Sequence, residues 1–135
     1  MTAGLIILIL KIAVGAVTLL WLGSMFALFR GHTKLHGRIN IAFFALTLAA
    51  LVGLELIVKV VSPGLVEQHL AAHQAEGMLR IHLCFSLPAA VLLFFMLFTG
   101  LRHMRNLHIA AGVLFSVLWI GTFITGVFFL PHETP

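Results

Sequence analysis

Eight histidines stand in a chain of 135 residues that has only eight basic and four acidic side chains. They fall into two sets along the sequence: His32, His36, His103 and His108 in one, His69, His73, His82 and His132 in the other. An imidazole in apolar surroundings offers two kinds of chemistry. Two of them on facing helices can hold a b-type haem as axial ligands, or a group of them can chelate a bare metal ion. The sequence presents both. His36 and His108 each follow a leucine at the start of an apolar stretch and make a candidate axial pair. His82 opens another such stretch and is the candidate ligand of a second centre, with His69 or His73 closing over it. In H-L-A-A-H, His69 and His73 stand at i and i+4, so Glu76 and His82 could complete a zinc, copper or iron site with them. His32, His103 and His132 read more simply as amphipathic residues at a membrane surface.

The remaining chemistry-bearing residues are few. A single cysteine, Cys84, excludes an internal disulfide and CxxC chemistry. The absence of tyrosine excludes tyrosyl chemistry. Glu55 and Lys59, at i and i+4 inside an apolar stretch, read as an ion pair reaching toward the surface, with a proton or quinone role as the alternative. Phenylalanine and methionine are plentiful but are accounted for by packing and lipid contact.

The elements that must position these residues are transmembrane helices. Hydrophobic residues make up 61% and charged residues 9% of the chain, against roughly 25% charged in a soluble domain. About 20 apolar residues span the hydrocarbon as a helix. Leu5–Phe29, Ile39–Val61, Leu79–Gly100 and Ile109–Leu130 meet that length. The expected fold is therefore all-α: one transmembrane domain over residues 1–135, a four-helix bundle in contact with the lipid bilayer. Lys11 interrupts the first stretch and no small-residue cleavage site follows, so that stretch is read as a retained helix rather than a signal peptide.

The net charge of +4 is an orientation signal, and no nucleic-acid partner is implied. Arg30, Lys34, Arg38, Arg102 and Arg105 lie in the two connections on one side. Lys59 and Arg80, with Glu67, Glu76 and Glu133, lie toward the other. The positive-inside rule puts both basic loops in the cytoplasm and both termini outside, in a bacterial or archaeal cytoplasmic membrane.

Two segments repeat. F-A-L-F-R-G, from Phe26, and F-M-L-F-T-G, from Phe95, are each followed by a basic loop, then Leu-His, then an apolar span. On that alignment the second loop is three residues longer. The chain reads as two parallel copies of one helical hairpin, related by an axis along the membrane normal, which makes His36 and His108 equivalent. Between the copies, Ser62-Pro63 has the form of a helix start and Gly77 of a stop. That predicts a short external interfacial helix over 62–78 with His69, His73 and Glu76 on one face. Pro88 predicts a kink in the third span.

The basic loop with histidine before the second span, R-I-H at the third, L-H-I-A-A at the fourth and T-G-V near the end resemble the YozB-like small four-helix membrane proteins, from about Gly31 onward. That resemblance implies a setting near cytochrome oxidase assembly and marks His36, His82 and His108 as the matching histidines. The chain departs from the family in Ile109 and Ala110, where basic residues are usual, and in Glu55 and Lys59, near where a histidine is usual. The paired hairpins are also similar in layout to the di-haem cytochrome b bundles. The expected function is a membrane-bound b-type haem protein that transfers electrons and is linked to quinone or a respiratory-chain complex. The alternatives are a copper-, zinc- or iron-binding or assembly factor for a respiratory oxidase, and a structural accessory subunit.

Overall fold

The computed structural model describes residues 2–133. Its elements are helical: α1 (Ala3–Phe29), α2 (Thr33–Leu56), α3 (Leu65–Ala72), α4 (Glu76–Leu101) and α5 (Arg105–Ile124). Both α2 and α5 run on into a single wider π-helical turn, Ile57–Val61 and Thr125–Phe129 respectively. Four of these rods are long and apolar enough to cross a membrane. The 27 residues of α1 extend about 40 Å at 1.5 Å per residue, which exceeds a hydrocarbon core of about 30 Å. The helices begin and end outside the purely apolar stretches because polar residues at their ends, Thr33, Lys34, Glu76 and Arg105 among them, continue the backbone ladder without cost.

The chain packs as two hairpins, α1 with α2 and α4 with α5, which meet through α2–α4 and α1–α5. Each hairpin turns in the same way. After α1, Gly31 takes φ +78°. Its N–H donates to the Leu28 carbonyl (3.0 Å) while that of His32 donates to Ala27 (2.8 Å). After α4, His103 takes φ +55°, with N–H bonds from His103 to Gly100 (3.2 Å) and from Met104 to Thr99 (2.9 Å). Both are Schellman turns, which satisfy the last carbonyls of a helix through one left-handed residue. Arg30 lies 5.2 Å above the Phe26 ring and Arg102 5.5 Å above that of Phe98.

These equivalences correct the register of the repeat. Arg30 corresponds to Arg102, Phe26 to Phe98 and His36 to His108, a constant offset of 72 positions (108 − 36 = 72) with no inserted residue. The F-x-L-F-x-G match is displaced by three positions from this register. A run of phenylalanine and leucine on a lipid-facing helix carries little positional information, whereas the left-handed turn residue fixes the alignment.

Phe43 and Phe115, also 72 positions apart, meet at the centre of the bundle with ring centres 6.0 Å apart. Trp119 packs against both, at 5.0 and 5.7 Å, and its indole N–H donates to Thr18 Oγ1 on α1 at 3.1 Å. Around this aromatic knot close Val17, Ala89 and Leu93. Most other large apolar side chains point outward, as Leu19, Val91 and Phe128 do, the expected face for lipid.

The connection between hairpins differs from the sequence-based expectation. Its helix spans Leu65–Ala72; Gly64, at φ +78°, precedes it, and Gln74, at φ +52°, closes it with a third Schellman turn. Gly77 lies within the first turn of α4 and stops nothing. Glu76 accordingly belongs to α4 rather than to the face that carries His69 and His73. Leu70 and Ala75 bury against Ile7, which seats α3 across the end of the bundle that holds both chain termini. α4 continues unbroken through Pro88.

Candidate functional site

The two sets of histidines occupy opposite ends of the bundle. His32, His36, His103 and His108 lie at the end formed by the hairpin turns; His69, His73, His82 and His132 lie at the end with the termini. At the turn end, His36 on α2 and His108 on α5 face each other across the interior, with ring centres 6.4 Å apart and planes at 83°. Each is half-buried, and each sits two turns from the Phe43–Phe115 contact on the same helix face.

The partner helices of the two hairpins orient these rings. His36 Nδ1 lies 3.0 Å from the Ser24 carbonyl and 2.8 Å from Ser24 Oγ. A carbonyl only accepts, so Nδ1 carries the proton and Nε2 the lone pair. His108 repeats the arrangement, with Nδ1 3.1 Å from the Met96 carbonyl and 3.2 Å from Thr99 Oγ1. Ser24 and Met96 are themselves 72 positions apart (96 − 24 = 72). Both hydroxyl residues, Ser24 and Thr99, are fully buried. Gly100 makes the close approach on α4 feasible, because a Cβ there would stand 3.2 Å from His108 Cε1.

The two halves differ in their polar residues: the hydroxyl is Ser24 in the first and Thr99 in the second, at non-equivalent positions, and Asn40 has no polar counterpart. Asn40 lies one turn beyond His36, and its Nδ2 donates to His36 Nε2 at 3.0 Å. Ser24 Oγ donates to Asn40 Oδ1. Ser24, Asn40 and His36 therefore form a closed circuit of three side-chain hydrogen bonds. The corresponding residue beside His108 is Gly112 (40 + 72 = 112). Among the described residues no hydrogen bond reaches His108 Nε2.

Histidines that bind a metal commonly donate their second ring N–H to a carbonyl or carboxylate, which fixes the tautomer and orients the ring. Both members of this pair have that anchoring. With metal–nitrogen bonds of about 2.0–2.1 Å, two imidazoles on opposite sides of one ion have centres roughly 6 Å apart, and a tetrahedral angle would draw them to roughly 5 Å. The observed 6.4 Å is compatible with two imidazoles on opposite sides of one ion.

At the other end the histidines are dispersed. His82, half-buried on α4, bonds Thr125 Oγ1 through Nδ1 at 2.9 Å, with the Thr122 carbonyl also in reach. Its ring rests on Gly126, where a Cβ would come within 3.0 Å of Cε1. The position equivalent to His82 in the first hairpin is Leu10 (82 − 72 = 10), so this end lacks the paired imidazole of the turn end. His69 and His73 stack on each other at 4.3 Å. His73 Nδ1 is spent on the His69 carbonyl (2.8 Å) and His69 Nε2 on that of Pro131 (3.3 Å). No group of three or more His, Cys, Asp or Glu that could hold a metal ion is gathered among the described residues. His132 Nδ1 meets Lys11 Nζ at 2.9 Å, so the lysine that interrupts α1 is directed to the terminal segment. Glu55 and Lys59 form the expected pair at 2.7 Å, on the outer surface of the bundle.

Ser24 and Asn40 were not singled out by sequence reasoning, and Thr99–Gly100 and Thr125–Gly126 entered it only as letters of the F-x-L-F-x-G repeat and the T-G-V motif, with no role of their own. A small or hydroxyl residue in an apolar helix carries no mark of its own. Only the 72-residue register, which brings Ser24 and Met96 under equivalent histidines, identifies Ser24 as more than spacing. No protein-family model, no curated protein and no solved structure matches the chain.

Proposed function

We propose that the chain is an integral membrane protein that holds a b-type haem between His36 and His108 and transfers electrons at the turn end of the bundle. The observation carrying this reading is the facing of two repeat-equivalent histidines at 6.4 Å, each anchored through Nδ1 by a carbonyl and a hydroxyl of the preceding helix. Bound there, the haem would supply reversible one-electron chemistry. His36 and His108 would hold its iron, Ser24 and Thr99 orient the two imidazoles, and the Phe43–Phe115 contact closes the interior on the side away from the turns. The absence of a repeat partner for His82 favours one haem rather than two.

The basic loops favour an orientation with the turn end in the cytoplasm and both termini outside, in the cytoplasmic membrane of a bacterial or archaeal cell. The likeness to YozB-like proteins in the motifs around His36, His82 and His108 is in keeping with a place beside a respiratory oxidase, with quinone or a respiratory-chain complex as the redox partner. The test is the oxidised and reduced absorption spectrum of detergent-purified protein, with pyridine haemochrome and elemental analysis. One haem per chain, lost to the same extent in His36→Ala and His108→Ala, is the expected result. Copper, zinc or iron without haem would substitute the metal-binding or assembly reading. Protein from its native membrane with neither would leave the structural-subunit reading.

A further inference from the structure

Asn40 is the one side chain among the described residues that bonds an Nε2 of the histidine pair. We infer that it is a positioning residue that holds back the His36 lone pair, so that a haem bound here would be kept more firmly by His108 than by His36 and a small neutral diatomic molecule of the carbon monoxide class could replace His36. This rests on the haem reading given above.

The argument begins with the lone pair. Nδ1 of each histidine donates to a carbonyl, so ligation falls to Nε2. On His36 that atom already accepts a hydrogen bond from Asn40. The Asn40 amide is itself held from behind by Ser24 Oγ, which in turn accepts from His36 Nδ1. Ligation by His36 must open this circuit and leave an amide N–H without its acceptor; ligation by His108 opens nothing. Where the first hairpin has Asn40 the second has Gly112, which has no side chain to offer a donor. Two histidines with the same depth, tautomer and anchoring thus differ in the free energy needed to release their lone pairs. The difference is that of one net hydrogen bond, which corresponds to about fivefold in an equilibrium constant.

Two variants and two readouts test this. In the haem-free protein, long-range ¹H–¹⁵N NMR of the imidazoles reports the hydrogen bond directly. Asn40→Leu should shift His36 Nε2 and leave His108 unchanged. In the haem-loaded, reduced protein, removal of the competitor should strengthen the His36 bond, so Asn40→Leu should bind carbon monoxide about fivefold more weakly than the parent chain. Gly112→Asn adds the missing donor beside His108, where a Cβ meets only the flexible end of Met96 at 3.6 Å. It should loosen haem retention about fivefold. Circular dichroism of each variant confirms that the helices are intact. An unshifted His36 Nε2, or carbon monoxide affinity unchanged or raised in Asn40→Leu, overturns the role of Asn40 while the haem reading stands. A protein that takes up no haem overturns both.

Discussion

Replacing Ser24 with alanine removes a single oxygen, and the structure fixes what that oxygen does. Ser24 is fully buried. Its Oγ accepts from His36 Nδ1 and donates to Asn40 Oδ1. The histidine has a second acceptor in the Ser24 carbonyl at 3.0 Å, so its N–H stays satisfied in the variant. Asn40 Oδ1 has no other partner among the hydrogen bonds formed, and Ser24→Ala leaves it unpaired. A buried acceptor stripped of its donor costs about 1–3 kcal/mol. The half-exposed surroundings of Asn40 place the expected loss near the middle of that range, about 2 kcal/mol. Thr99→Val is the matched control. Thr99 Oγ1 donates to the Met96 carbonyl at 3.2 Å, which His108 Nδ1 also reaches at 3.1 Å, so no partner is orphaned. That variant should lose about 1 kcal/mol or less. Reversible unfolding in mixed micelles, followed by circular dichroism, measures both without reference to any cofactor. Equal losses, or a larger loss in Thr99→Val, would refute the circuit of Ser24, Asn40 and His36.

Three further outcomes are expected. His36→Ala and His108→Ala should each abolish the same Soret and α-band intensity, and a full spectrum in one of them would rule out a shared site. Gly121→Leu should prevent α4 and α5 from docking, because the Phe85 ring occupies the space where any side chain would stand; overpacking of this kind costs about 1–3 kcal/mol or more, and an unchanged unfolding midpoint would disprove the close approach. In a Cys84→Ser background, needed because Cys84 is exposed, a cysteine at Gln74 should react with a membrane-impermeant label in intact cells and one at Thr33 should not. The reverse pattern would invert the orientation.

The four spans were legible because hydrophobic length in a membrane is a property of composition, and composition is read directly. The pairing of His36 with His108 was legible because a repeat converts two distant positions into one. What misled was punctuation. Ser62-Pro63 has the form of a helix start, but the left-handed residue that sets the boundary is Gly64. Gly77 reads as a stop, yet α4 begins at Glu76 because Gln74, a residue with no such signature, adopts the left-handed turn. Likewise the left-handed position after α4 is His103, which sequence alone reads only as an amphipathic residue at the membrane surface. Hydrogen-bond partners of the histidine pair were illegible for a simpler reason: Ser24 reaches His36 across a hairpin turn, and only the packed turn brings residues twelve apart together.

The glycines serve the two hairpins differently. Between α4 and α5, Gly100 receives His108, Gly121 receives Phe85 and Gly126 receives His82, three ring-into-gap contacts spread along the full length of the pair. Gly15, Gly23, Gly37 and Gly53 in α1 and α2 face nothing within 4 Å. The second hairpin is therefore keyed at three heights by rings seated against glycine backbone, and a side chain at any of the three would push the pair apart and draw His108 away from its Met96 and Thr99 partners.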